Sequence, residues 1–136
     1  MAGYSQASSI AAYKSVATHG AAAEAEPHQL ISMLMEGALD RLLSARGCIE
    51  RGDVVTKAGL LHRVGAIIDE LRCSLDHTAG GTVAANLDRL YEYMMRRVLA
   101  ANLKNDVAAI DEVLKLLRQI RDSWNAIPLQ HRSSRK

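Results

Sequence analysis

Apolar residues recur three or four positions apart along the stretch 80–103. Because an α-helix completes a turn every 3.6 residues, this spacing places them on one side of a helix. Tyr91 and Met95 lie beside that stripe and widen it. The pattern predicts a long helix whose apolar surface exceeds what one neighbouring helix covers. The stripe consists of Val83, Leu87, Leu90, Met94, Val98 and Ala101.

Three other segments show the same spacing, and turn residues separate them. Proline costs no hydrogen bond in the first turn of a helix, and glycine allows the backbone angles of a reversal. An aspartate at the N-cap accepts hydrogen bonds from the free backbone N–H groups of the first turn. The predicted helices run from Pro27 to about Arg51, from the N-cap Asp53 to the turn at 78–81, and from Asn105 or Asp106 to Pro128.

The four segments predict an all-α fold. Helices of roughly 20 to 24 residues joined by short turns are antiparallel neighbours, so we expect an antiparallel up-down-up-down four-helix bundle with a short N-terminal helical arm. A chain of 136 residues is long enough for one such core. We assign 1–26 to a mobile arm with a short helix, 27–127 to the bundle and 128–136 to a disordered basic tail.

The charge distribution argues against a nucleic-acid-binding domain. Removing Arg132, Arg135 and Lys136 from the net charge of +2 leaves −1 for the rest of the chain, whereas phosphate binding needs a basic face. No stretch approaches the roughly 20 apolar residues that span a membrane, and the N-terminus lacks the pattern of a signal peptide. We therefore predict a cytoplasmic protein without membrane insertion.

The residue types that perform catalysis do not occur in a catalytic arrangement. A di-metal carboxylate bundle requires Glu-x-x-His on two helices, and this motif is absent. His62 and His77 have no metal-ligating partner at a helical spacing that faces the core. Neither Cys48 nor Cys73 has a basic residue placed to activate its thiol. We predict that the protein is not an enzyme and uses no cofactor or metal.

Second apolar stripes accompany the core stripes on three of the helices. These side chains could broaden the core or bury a homodimer interface. Alternatively, they could line a groove for amphipathic helices, where methionine adapts to imperfect fits. The candidate groove residues are Leu60, Val64 and Ile67, then Tyr91, Met94 and Met95, then Val113, Leu116 and Ile120.

Several short motifs follow one another from the N-terminus to the end of the last predicted helix. They include Ile10-Ala11-Ala12-Tyr13, Pro27-His28-Gln29-Leu30, Gly52-Asp53-Val54-Val55 with Lys57, Gly80-Gly81, Leu90-Tyr91-Glu92-Tyr93-Met94, Arg96-Arg97 and Trp124. Their order and spacing resemble the flagellin export chaperones of the FliS family. Two positions depart from the family pattern: Met35 replaces a usual aromatic residue, and Glu26 replaces a small N-cap.

The resemblance implies a cytoplasmic chaperone that binds the C-terminal region of flagellin and prevents its premature polymerisation. It also implies delivery of flagellin to a component of the flagellar type III export gate. An amphipathic flagellin end would expose apolar stripes as a monomer, and such stripes aggregate unless they are covered. The resemblance further implies that the N-terminal arm lies over part of the groove in the absence of flagellin, with Ile10 and Tyr13 as its anchors.

Two other interpretations stay open. The second stripes could pair with another copy of the chain in a structural homodimer. A regulator- or nucleic-acid-binding bundle would instead use the basic tail and the arginines of the helices. That interpretation predicts steep salt dependence, whereas binding in an apolar groove is nearly insensitive to salt. The arginines concerned are Arg63, Arg72, Arg89, Arg96 and Arg97.

Overall fold

Four α-helices make up most of the chain that the computed structural model describes, residues 26–127. The predicted arm with Ile10 and Tyr13, and the predicted tail, lie outside these residues. No strand occurs between 26 and 127, so the all-α prediction is confirmed. The helices are α1, Pro27–Arg51; α2, Val54–Cys73; α3, His77–Lys104; and α4, Val107–Asn125.

Each helix packs against two neighbours around a square. The packed pairs are α1 with α2, α2 with α3, α3 with α4, and α4 with α1, whereas helices across the diagonal barely touch. We call each line of contact between neighbouring helices a seam. Short connections between sequential helices make them antiparallel, and the predicted up-down-up-down bundle is confirmed.

Aspartates begin three of the helices, as local sequence rules predict. The carboxylate of Asp53 accepts a hydrogen bond from the backbone N–H of Thr56 at 3.2 Å. Asp106 caps α4 in the same way. Of the two candidates for that position, Asn105 instead ends α3, with a left-handed φ of 53°. The N-cap predicted at Asp53 is confirmed.

The connection before α3 differs from the predicted turn at 78–81. The second helix already ends at Cys73, and Asp76 caps a first turn of α3 that begins at His77. Gly81 then interrupts the helix with φ 50° and ψ −124°, angles that only glycine adopts readily. Leu75 packs against the core from this connection.

The core contains most of the predicted stripes. Tyr91, expected on a flank, lies among them, and burial raises the pKa of its phenol to about 12. Val54 and Val83 are exposed, and Val83 belongs to the stripe predicted for 80–103. They lie at the first residue of α2 and just after the break at Gly81, where no helix covers them.

Candidate functional site

Four of the predicted groove residues lie in the core of the bundle. Their side chains are at most 2% exposed and contact other core residues, so they present no surface to a partner in this arrangement. The physical reason is that every helix of a square bundle meets two neighbours. A second stripe therefore packs on the second neighbour instead of remaining uncovered. The four residues are Val64, Tyr91, Met94 and Val113.

Two of the remaining candidates face α1. A Cβ atom placed on Gly37 of α1 would lie 3.8 Å from the Cδ1 atom of Ile67. Leu60 precedes Ile67 by two helical turns and therefore lies on the same side of α2. Both side chains are half-buried. Leu60 and Ile67 thus belong to the α1–α2 seam.

Leu116 and Ile120 lie on a different seam. They follow Glu112 by one and two helical turns, which places all three on one side of α4. Glu112 accepts hydrogen bonds from the hydroxyl of Tyr93 at 2.6 Å and from Nε of Arg97 at 2.7 Å, both on α3. Leu116 and Ile120 therefore belong to the α3–α4 seam.

Met95 lies on a third seam. It follows Asp88 by two turns, and Asp88 accepts a hydrogen bond from Nε of Arg72 in α2 at 2.6 Å. The half-buried candidates are thus distributed over three seams instead of lining one groove. Ile10 and Tyr13 lie outside the described residues, so the structure does not place them.

Two exposed leucines of α3 follow Met95 on the side of the helix that borders the α2–α3 seam. Leu99 and Leu103 follow Met95 at intervals of four residues, each of which turns about 40° around the helix and away from the core, and they are 58% and 74% exposed. Both fall outside the core stripe of the stretch 80–103, so the apolar pattern did not identify them as candidates. Two leucines one turn apart and outside the core stripe could have indicated an exposed apolar surface.

The facing side of α2 carries small or exposed apolar residues. Ala58 and Gly65 precede Arg72 by four and two turns, so they face α3 as Arg72 does. Val54 lies one turn before Ala58 and is 52% exposed. A Cβ atom on Gly65 would meet nothing within 4 Å, so this part of the surface is open. We call the following six residues the apolar strip: Val54, Ala58, Gly65, Met95, Leu99 and Leu103.

Polar contacts flank the apolar strip along the α2–α3 seam. The Arg72–Asp88 ion pair lies toward the end of α2, and its hydrogen bond lowers the pKa of the Asp88 carboxyl. Near the start of α2, Nζ of Lys57 donates to the backbone carbonyl of Asn102 at 2.6 Å. The strip is thus an apolar surface between helices that two interhelical contacts hold together.

The α1–α4 seam is closed by aromatic stacking. The rings of His28 and Trp124 are nearly parallel, with centroids 4.4 Å apart. Nε2 of His28 donates to the carbonyl of Trp124 at 2.6 Å, and Nε1 of Trp124 donates to the carbonyl of His28 at 2.8 Å. We call this arrangement the His28–Trp124 clasp. It holds the start of α1 against the end of α4.

Ion pairs cover the rest of the same seam. Nε of Arg46 donates to Asp111 at 2.7 Å, and Nη1 of Arg121 donates to Glu36 at 3.0 Å. The hydrogen bond from Arg46 lowers the pKa of the Asp111 carboxyl. This seam therefore presents charged groups to solvent where the α2–α3 seam presents leucines.

The described residues offer neither a metal-binding cluster nor an activated thiol. Between 26 and 127, no three His, Cys, Asp or Glu side chains converge as a metal site would require. Cys48 is buried, and desolvation raises the pKa of the exposed Cys73 thiol, which disfavours its reactive thiolate. In the same range, no helix combines the length and the apolar character that crossing a lipid bilayer demands.

Comparison with known proteins gives a consistent result. Residues 9–131 match the family described as Flagellar protein FliS. The flagellar secretion chaperone FliS of Salmonella typhimurium is 48% identical over 122 residues, which cover 89% of this chain and 90% of the relative. The flagellar secretion chaperone FliSB of Pseudomonas aeruginosa is 44% identical over 115 residues, covering 85% and 91%. The FliS chaperone of Bacillus subtilis is 32% identical over 111 residues, covering 82% of each.

Proposed function

The chain belongs to the FliS family of flagellar proteins, and we propose that it is a cytoplasmic export chaperone that binds the C-terminal region of flagellin along the apolar strip. The relatives named as flagellar secretion chaperones support the chaperone role. The exposure of Leu99 and Leu103 on a surface with an open, small-residue side supports the position of the site. This exposure is the observation that carries the proposal.

The chemistry of the strip suits an amphipathic helix. Burying a leucine side chain fully is worth roughly 1.5–3 kcal/mol, so covering the exposed parts of Val54, Leu99 and Leu103 favours binding of an apolar partner. Ala58 and Gly65 have little or no side chain, which lets a partner helix approach α2 closely. A bound flagellin helix would lose the apolar surface through which it polymerises. No bond is made or broken, so the proposed role requires no catalytic group.

The N-terminal arm and the tail enter the proposal from the sequence. We propose that residues 1–26 act as an arm whose Ile10 and Tyr13 cover part of the strip until flagellin displaces them, while 27–127 act as the binding domain and 128–136 as a tail. Two or three apolar groups bury less surface than a flagellin helix, so the exchange is favourable. If Ile10→Ala and Tyr13→Ala both leave flagellin affinity and protein solubility unchanged, the arm has no such role. We further propose that the loaded chaperone contacts a component of the flagellar type III export gate.

A homodimer is the second candidate, because the same exposed leucines could pair with another copy of the chain. Light scattering separates the two, since a homodimer predicts a mass that rises with concentration and no binding of a flagellin segment. The nucleic-acid alternative is less well supported. Arg72 and Arg97 already pair with Asp88 and Glu112, which removes part of the basic surface that phosphates would need.

Calorimetric titration tests the proposed function. The full chain is titrated with the C-terminal segment of flagellin from the same organism, at low and high salt and at several temperatures. We expect a one-to-one complex with a negative heat-capacity change, because apolar surface is buried, and with little salt dependence. Absence of binding would contradict the proposal. Affinity that falls steeply with salt would favour the basic-surface alternative.

A further inference from the structure

Lys57 occupies a position where the helical pattern of α2 calls for an apolar residue. It begins the series of core-facing positions that continues with Leu61, Val64, Ile68 and Leu71. The side chain is only 2% exposed. Lysine is almost never buried to this extent unless it is paired, because removing an ammonium group from water is costly.

The Lys57 ammonium group donates a hydrogen bond to a carbonyl at the end of α3. Carbonyls of the last helical turn have no N–H donor within the helix. The carbonyl of Ala101 accepts the N–H groups of Asn105 and Asp106. The next carbonyl, that of Asn102, accepts Nζ of Lys57 at 2.6 Å. The ammonium group also lies at the negative end of the dipole of α3, which favours a cation.

This contact joins the two helix ends that carry the exposed part of the apolar strip. Val54 precedes Lys57 by one turn of α2, and Leu99 and Leu103 flank Asn102 on α3. A change in the position of the first turn of α2 relative to the last turn of α3 would therefore change the distance between these apolar side chains. A helical ligand needs that distance to match its own apolar stripe.

We propose that Lys57 is a positioning residue for partner binding: its bond to the Asn102 carbonyl sets the spacing of Val54, Leu99 and Leu103. The inference rests on the proposed function, since it concerns the shape of the same strip. In this proposal, Lys57 does not contact the partner. It acts through the backbone of α3.

Substitution by methionine tests the inference in the full chain. Lys57→Met keeps the length of the apolar stem but removes the hydrogen-bond donor and the charge. The lost hydrogen bond destabilises the protein, whereas the removal of a buried charge stabilises it, so the two effects offset each other. We expect a Tm close to that of the wild type but a flagellin-segment Kd roughly tenfold weaker, which corresponds to about 1.4 kcal/mol. Lys57→Arg, which can still donate to the carbonyl, is expected to restore most of the affinity.

A matched control separates positioning from a loss of stability. Ile68→Val removes one core methylene from the same face of α2, away from the strip, and is expected to lower Tm without changing Kd. In methyl NMR spectra of the free protein, Lys57→Met should shift the signals of Val54, Leu99 and Leu103, whereas Ile68→Val should not. If Lys57→Met does not fold, Lys57→Gln, whose shorter side chain does not reach the carbonyl, takes its place in the same comparison.

The outcomes for the two proposals differ. Suppose that the wild type binds the flagellin segment, and that Lys57→Met binds it with the same Kd and shows unshifted methyl signals in the strip. This result overturns the positioning role and leaves the proposed function intact. Equal losses of affinity in Lys57→Met and Ile68→Val also overturn it, because stability alone would then explain the effect. No wild-type binding of the flagellin segment overturns the proposed function, and the positioning role with it.

Discussion

The α1–α4 and α2–α3 seams lie on opposite sides of the same bundle and expose different chemistry. Across α1–α4, the His28–Trp124 clasp and the Arg46–Asp111 and Arg121–Glu36 ion pairs cover the outside of the core. Along α2–α3, Arg72–Asp88 and the Lys57 contact hold the helices, and the apolar strip is left in solvent. Leucines that are mostly exposed, such as Leu99 and Leu103, contribute little to the stability of the isolated bundle.

The difference indicates that one seam mainly stabilises the bundle while the other leaves apolar surface exposed. The α1–α4 seam has polar and aromatic contacts on its surface and needs no further partner. The strip on the α2–α3 seam gains stability only when another apolar surface covers it. The two seams can therefore be altered separately, and the following changes test whether stability and binding separate as the proposed function requires.

The largest expected effect is on the closed seam. Trp124→Ala removes the stacked ring and the hydrogen bond to the His28 carbonyl, and should lower the free energy of unfolding by about 3 kcal/mol. Urea unfolding measures the change. Trp124→Phe retains an aromatic ring but lacks the N–H donor, and should lose only about 1 kcal/mol. At temperatures well below Tm, both variants should bind flagellin as tightly as the wild type. A weakened affinity would show that the two seams are coupled.

The next effect concerns the open seam. Leu99→Ser combined with Leu103→Ser should change the free energy of unfolding by no more than about 0.5 kcal/mol, because both side chains are exposed. Loss of their burial in the complex should weaken flagellin binding by about ten- to a hundredfold, as measured by calorimetry. Leu43→Ser is the matched control, since Leu43 is 47% exposed on α1 and lies away from the strip. Equal losses of affinity in the control and the double variant would contradict the proposed site.

Gly65→Ala should raise the stability of the free protein and lower its affinity for flagellin. A Cβ atom there meets nothing within 4 Å, and alanine in a helix is more stable than glycine by roughly 0.5–1 kcal/mol. Flagellin affinity should nevertheless fall, because the methyl group occupies the open side of the strip. Gly59→Ala provides the control: its Cβ is equally unobstructed, but the residue faces away from α3. A Gly65→Ala variant that binds as tightly as Gly59→Ala would exclude close approach at this point.

The smallest expected effect is the acid dependence of the closed seam. The hydrogen bond from Arg46 lowers the pKa of Asp111 in the folded state. A carboxyl with a depressed folded pKa stabilises the protein above its unfolded pKa of about 3.9, and this stabilisation is lost as the pH falls through the folded pKa. The urea midpoint should therefore be flat near neutrality and decline below about pH 4. Arg46→Gln should make that decline shallower, and an unchanged decline would show that the pair does not contribute.

Local features of the sequence were sufficient to predict the fold. The helical spacing of apolar residues and the caps at Asp53 and Asp106 depend on neighbouring positions, so they could be read directly. The boundary between α2 and α3 could not be predicted in this way. Gly80-Gly81 suggested a turn, whereas in the structure Asp76 already caps α3 and Gly81 only interrupts that helix.

The candidate site was harder to predict because it depends on how each helix is rotated in the bundle. A wide apolar face on α3 was visible, but only the packed structure shows that Tyr91 and Met94 fill the core while Leu99 and Leu103 remain exposed. The Lys57–Asn102 contact joins residues of different helices, and no periodicity within one helix reveals it.

The most direct test of the account is a methyl NMR map of the complex between the full chain and the flagellin C-terminal segment. The account predicts that the largest shift changes on binding occur at Val54, Leu99 and Leu103 of the α2–α3 seam. Changes confined to Leu116 and Ile120 of the α3–α4 seam, with the strip methyls unmoved, would contradict it.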